Sequence, residues 1–284
     1  MAASETLTRV GVALAGIPVV VAAAYFGGWV LAALLAVVAA LVARELFRMA
    51  ARKAPRPLEA LGMACAAALV LASAIDPAGG LMNPAPAAVL VFFTLLIATA
   101  AIWMRGVEGE PLLSLAVTVF GAGYAGLLAF GLDLRHLPGV REPLHGTALL
   151  FAPIALTWVS DTAAYFGGRA MGKRKLIPRV SPGKTVEGAL SAVVGSILAG
   201  AGYALLLQRF PAYHPSVLQG ALFGLLVSVF AQVGDLAESL LKRDTGVKDS
   251  GTLLPGHGGA LDRFDSLLFT LPLGYFFFSM VVGP

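Results

Sequence analysis

The chain has one cysteine, Cys65, and four histidines among 284 residues. A lone thiol rules out an intramolecular disulfide and a cysteine-rich metal site. Cys65 lies in an apolar run and reads as a small packing residue. Charge is scarce too: 13% of residues are Asp, Glu, Lys or Arg, against roughly 25% in a soluble domain. The alternating pattern of a membrane β-barrel is missing, which leaves helices as the only way to span a bilayer. There is no internal repeat and no low-complexity linker. No small-residue cleavage site follows a short apolar core near the start, so the first apolar run is expected to be a transmembrane helix and not a cleaved signal.

Apolar residues make up most of what remains. The hydrophobic share is 58% and the mean hydropathy is +0.84. Long runs of Ala, Leu and Val approach the about 20 residues that cross a bilayer as a helix. The expected fold is all-α: a polytopic integral membrane bundle of about nine transmembrane helices, near residues 10–26, 28–43, 59–75, 86–104, 112–131, 147–168, 188–207, 216–234 and 266–283. The net charge of +4 does not imply nucleic acid, because membrane proteins gather Lys and Arg in cytoplasmic loops. Of the 20 bases, only Arg135, Arg141 and Arg209 fall in loops on the opposite side of this layout. The expected placement is a multi-pass protein of the cell (inner) membrane. Its N-terminus is inside, its C-terminus outside, and its large polar loops face the cytoplasm.

Polar chemistry is uneven along the chain. Residues 1–150 carry little and read as a transmembrane scaffold. Residues 151–284 read as the catalytic region. Asp161 lies well inside an apolar segment, in the run Trp158 to Tyr165. A buried carboxylate needs a cation, a metal or a proton, so it is a functional candidate. A basic loop follows, ending Ser181-Pro182-Gly183-Lys184-Thr185-Val186-Glu187-Gly188. Its bases serve topology and lipid headgroups, while Ser181 or Thr185 can cap the next helix, whose N-terminus attracts phosphate. Gly183-Lys184-Thr185 imitates the end of a P-loop, but Pro178 stands where that motif needs glycine.

The densest polar stretch is residues 235–265, which holds Asp235, Glu238, Asp244, Asp249, Asp262 and Asp265 together with Lys242, Arg243, Lys248 and Arg263. If the eighth helix continues into it, Asp235, Glu238 and Ser239 share a face and Lys242 extends it. Asp262 and Asp265 are three apart and can converge. Carboxylates from separate segments, with glycines around His257, suit a magnesium-bound phosphate. His257 has no histidine or cysteine nearby to make a zinc site and is a weaker candidate for phosphate contact.

Ser239-Leu240-Leu241-Lys242-Arg243, Lys248-Asp249, Pro255-Gly256-His257-Gly258-Gly259 and Asp262-Arg263-Phe264-Asp265 together resemble the phosphatidate cytidylyltransferase (CDP-diacylglycerol synthase) family. The resemblance extends to 158–165, 181–188 and Gly234-Asp235, and so covers the second half of the chain. Ala260 and Gly183 depart from the family's commoner residues. The resemblance implies transfer of CMP from CTP to phosphatidic acid, giving CDP-diacylglycerol and pyrophosphate, in a homodimer embedded in the lipid bilayer. It implies Mg²⁺, with room for a second divalent or a monovalent cation. Asp235 and Asp262 are the implied metal ligands, with Asp161, Asp249 and Lys248 as further catalytic groups. Ser181, Lys184, Thr185, Glu187, Ser239, Lys242, Arg243, His257, Arg263 and Asp265 are the implied substrate contacts. The chemistry is consistent with this. A phosphate monoester has its second pKa near about 6, so at neutral pH the lipid is already a nucleophile and needs electrostatic help, not a general base. The alternatives are a CTP-dependent lipid kinase, which would release CDP, and a secondary transporter with Asp161 as its ion site.

Overall fold

The computed structural model describes residues 16–53, 56–251 and 258–284. Arg9, residues 10–15 of the first expected span, and Pro255, Gly256 and His257 lie outside the described residues. Helices dominate: α1 (Gly16–Phe26), α2 (Gly28–Ala50), α3 (Glu59–Ser73), α4 (Pro84–Met104), α5 (Pro111–Gly126), α6 (Ala129–Arg135), α7 (Pro143–Met171), α8 (Val186–Leu207), α9 (Val217–Asp244), α10 (Leu261–Phe264) and α11 (Leu267–Phe276). A π-helical turn, Phe277–Val282, extends α11. Among the described residues seven helical stretches are long and apolar enough to cross a membrane, and α1 and α3 are shorter apolar helices. Each expected apolar segment therefore carries a helix. The departure from an all-α fold is a small antiparallel hairpin, β1 (Lys175–Ile177) and β2 (Ser181–Thr185), within the basic loop.

The chain forms two contact units, residues 1–133 with 244–264, and residues 134–243 with 265–284. In the first, α2 turns a stripe of Leu31, Leu35, Ala39, Val42 and Leu46 inward, at the three- and four-residue spacing of one helix face. Phe47 is fully buried beside Gly62 of α3 and Gly121 of α5. A Cβ on Gly62 would stand 2.5 Å from the Phe47 ring edge, so the two glycines make the space that this ring fills. Asn83 joins α3 to α4. Its amide donates to the carbonyls of Ala72 (3.2 Å) and Asp76 (3.3 Å), and its side-chain oxygen accepts from Ala85 N (3.0 Å). One residue thus satisfies orphan groups at two helix ends.

In the second unit, small residues let the helices approach through their backbones, as membrane helix pairs favour. A Cβ on Gly195 of α8 would stand 2.9 Å from the Ala163 Cβ of α7, and one on Gly188 2.8 Å from the Ala164 carbonyl oxygen. Gly200 and Gly224 face each other across α8 and α9 at 2.9–3.0 Å for such an added atom. Polar residues in this interior satisfy one another. Ser160 and Ser228 lie 3.0 Å apart, and Gln232 donates to Ser228 Oγ at 3.1 Å. Away from the polar end, Leu149, Leu156, Tyr213, Phe223, Val227, Phe277 and Phe278 form an apolar core.

Two substitutions test this packing. Phe47→Ala empties a sealed site and is expected to cost about 3–5 kcal/mol, read as a lower unfolding midpoint in detergent. Gly224→Val, which drives a branched side chain into the α8 backbone, is expected to lower it by a further overpacking cost of about 1–3 kcal/mol. An unchanged midpoint in Gly224→Val would contradict the close α8–α9 approach.

Candidate active site

In the second unit the polar residues converge where α7, α9 and the hairpin meet. Thr185 ends β2 in an extended conformation and caps α8, its hydroxyl accepting from Gly188 N at 3.2 Å. Of the two expected caps, Thr185 takes the role, while Ser181 opens β2 opposite Ile177. The hairpin holds Lys184 so that its Nζ lies 2.6 Å from Asp235 Oδ2 on α9. Both partners are partly shielded, with side-chain exposures of 25% and 36%. Asp161 of α7 lines the same cavity as Lys184 and Asp235, and Asp265 lies between α10 and α11. A cavity of about 510 Å³ opens here, lined by Asp161, Tyr165, Arg169, Lys184, Gln232 and Asp235 among others.

The eighth expected helix does continue into the acidic stretch, as α9 runs to Asp244. Ser239 donates to Asp235 Oδ1 at 3.3 Å. Glu238 is 1% exposed and accepts from Lys242 Nζ at 2.6 Å, one helical turn along. Lys242 therefore neutralises a buried acid on its own helix. Arg243 Nε donates to the Val180 carbonyl at 3.3 Å and so braces the hairpin turn. Glu187 does the same from α8. Its carboxylate accepts from the backbone N–H groups of Lys173 (3.0 Å) and Arg174 (3.2 Å) and lies 3.4 Å from Arg174 Nε.

The remaining site candidates belong to the first unit. Asp262 lies in α10, and its Oδ2 accepts from Ser250 N (3.1 Å) and Gly259 N (2.8 Å) and stands 3.0 Å from Ser250 Oγ. Gly258 sits at φ +81°, where a Cβ would stand 2.8 Å from Asp262 Oδ2, so this turn needs glycine on both counts. Arg263 is exposed on α10, and Lys248 and Asp249 are exposed on the loop before it. His257 lies outside the described residues.

Glu45 was not foreseen from the sequence. This carboxylate on α2 is 6% exposed and accepts from Ser250 Oγ (2.8 Å), Ala260 N (2.9 Å) and Leu261 N (2.8 Å). Its signal was available: an acid inside the Arg44–Arg48 basic run, on a helix whose other inward residues are apolar. Gln232, on the cavity wall, was missed because an amide in the middle of an apolar helix carries no motif.

Among the described residues no three or more His, Cys, Asp or Glu side chains are arranged to hold a metal ion directly. The donor set nevertheless fits a hard divalent cation. Asp161 and Asp235 present hard oxygen ligands on the wall of one cavity, beside the cations Lys184 and Arg169.

Comparison with known proteins covers almost the whole chain. The model of the cytidylyltransferase family matches residues 7–281. The phosphatidate cytidylyltransferase of Synechocystis sp. is 34% identical, over 96% of this chain and 97% of its own. That of Bacillus subtilis is 46% identical over 48% of this chain and 49% of its own, and that of Brucella suis 44% over 58% and 57%.

The loop network yields a test that needs no turnover. Glu45→Ala leaves three donors without their acceptor, and limited proteolysis is expected to cut within residues 246–261 several-fold faster than in the parent protein. Thr185→Ala, which removes one cap, should cost about 1 kcal/mol by chemical denaturation.

Proposed function

The chain belongs to the cytidylyltransferase family, and we infer that it is a phosphatidate cytidylyltransferase, which transfers CMP from CTP to phosphatidic acid and releases pyrophosphate. The observation that carries this reading into the structure is the Lys184–Asp235 contact, set on the cavity wall between Asp161 and the N-terminus of α8. A cation and a helix N-terminus receive phosphate oxygens there, and grouped carboxylates receive the metal that accompanies them.

The lipid phosphate dianion attacks the α-phosphorus of CTP. A new P–O bond forms as the bond to the pyrophosphate oxygen breaks. No side chain has to remove a proton, because the attacking oxygen is already ionised at neutral pH. The task for the protein is to hold two anions together in line. Lys184 and the α8 N–H groups bind phosphate oxygens, and Arg169 adds a second cation on the same wall. Asp235, with Asp161 and Asp265 near it, is the proposed Mg²⁺ site. Asp262, in the first unit, is the second proposed ligand on the strength of the family resemblance. Bound Mg²⁺ supplies charge neutralisation for the phosphates and for the departing pyrophosphate. A second divalent or a monovalent cation belongs to the same proposal. Ser181, Thr185, Ser239, Lys248, Asp249, Arg263 and His257 are proposed around the substrates, and Glu187, Lys242 and Arg243 act by bracing the hairpin and α9.

The membrane setting suits a substrate whose acyl chains stay in lipid while CTP arrives from water. The distribution of bases supports a cytoplasmic face for the polar loops, with the N-terminus inside and the C-terminus outside. The resemblance supports a homodimer.

Purified protein in mixed micelles with phosphatidic acid, α-labelled CTP and Mg²⁺ is expected to place label in the lipid with one pyrophosphate per transfer. CDP in place of pyrophosphate would identify a lipid kinase. Asp235→Asn and Asp262→Asn should each lose at least about a hundredfold in rate while eluting as folded protein, on the scale of a lost electrostatic catalytic contact. Full activity in either would sink its metal assignment. Lys173→Ala should change the rate little, since Lys173 meets Glu187 through its backbone N–H.

A further inference from the structure

We propose that a second pocket, formed by Arg44 and Arg48 of α2, by Arg52 in the turn that follows it and by Lys248, binds a terminal phosphoryl group, either the phosphate monoester of the lipid or the pyrophosphate end of the nucleotide. The proposal rests on the reading above and adds to it a site in the first contact unit. Arg44 and Arg48 are one turn apart on a face of α2, and the turn after the helix adds Arg52 to the same cavity. They line a cavity of about 790 Å³ whose other wall is the backbone of residues 246–251 with Lys248 and Asp249.

This wall is built and not incidental. Glu45, on the same helix, is buried and holds Ser250, Ala260 and Leu261 through three hydrogen bonds. A Cβ at Gly251 would stand 2.8 Å from the Glu45 carboxyl carbon, so the loop lies directly against the helix. The carboxylate that tethers the loop therefore brings Lys248 to the arginine face. Membrane topology and the helix dipole both favour arginine at this end of α2. Neither accounts for a tethered loop that adds a fourth cation.

Charge in the pocket is incompletely neutralised. Glu45 and Asp249 line it, but Glu45 already accepts from three donors. Glu59 lies 3.6 Å from Arg44 Nε and 3.4 Å from Arg48 Nε, one acid shared between two bases. Among the described residues Arg52 and Lys248 have no ion-pair partner. A phosphate monoester or a pyrophosphate offers the bidentate oxygens that guanidinium groups match and a charge that four cations can offset. A phosphodiester headgroup offers a single charge and no terminal phosphoryl oxygens.

The test uses the full chain in detergent and reads binding without turnover, so loss of the pocket and loss of cytidylyl transfer stay separate results. Inorganic pyrophosphate is titrated by calorimetry. Phosphatidic acid and phosphatidylglycerol are titrated in mixed micelles. The proteins compared are the parent, Arg48→Ala, Arg52→Ala, Arg52→Lys and Lys248→Ala. The expected result is a Kd raised about tenfold or more in the alanine variants for one ligand, the loss of a charge-assisted hydrogen bond, with partial recovery in Arg52→Lys. Weakening for pyrophosphate alone assigns the pocket to the nucleotide end. Weakening for phosphatidic acid alone assigns it to the lipid headgroup. Unchanged affinity for both ligands, or equal weakening for phosphatidylglycerol, overturns the proposal. Lys248→Ala alters an exposed loop side chain and keeps the test decisive if an arginine variant fails to fold.

Discussion

A carboxylate beside hydrocarbon must find a cation, enough hydrogen-bond donors, or a proton, and this constraint orders the polar residues of both units. Three acids meet it in three ways. Glu238, buried on α9, takes Lys242 from its own helix. Glu45, buried on α2, takes a hydroxyl and two backbone N–H groups from the loop before α10. Asp235 takes Lys184, carried in by the hairpin. The first spans one turn of a single helix. The second fastens Ser250, Ala260 and Leu261 to α2. The third joins two elements, because its lysine comes from the hairpin and its carboxylate from α9.

Small residues make these arrangements reachable. Helices α7, α8 and α9 touch through Gly188, Gly195, Gly200 and Gly224, so their backbones come near enough for Asp161 and Asp235 to line one cavity. Side chains of ordinary size at those positions would separate the helices. The hairpin is short and bulged between Lys175 and Ile177. It is held at both ends, by Glu187 at its first strand and by Arg243 at its turn. Charged residues that the motif placed at the substrate thus include several whose contacts are with the backbone that presents Lys184. A group of this kind influences the reaction by where it puts another residue, and its loss differs in character from loss of a group that touches phosphate.

Much of the fold was legible because the bilayer imposes a simple rule. Apolar runs near the spanning length become helices, and each expected run carries one, with α1 and α3 shorter than the rest. Thr185 as a helix cap and the extension of α9 through Asp235 and Ser239 followed from local rules of capping and helical spacing. The hairpin did not follow. Its strands are too short for an alternating pattern to register, and Ser181-Pro182-Gly183-Lys184 reads as loop until a partner strand is known.

The sequence by itself determined the membrane class and the helices and named candidate site residues, because hydropathy, caps and a spaced motif are local properties. Which acid meets which cation was decided only by the tertiary structure. Lys184 and Asp235 are far apart in the chain, and so are Glu45 and Ser250, and no local rule links them. Their meeting depends on helix packing through glycines and on the cost of leaving a charge unpaired in a low-dielectric interior. That cost is a property of the assembled molecule.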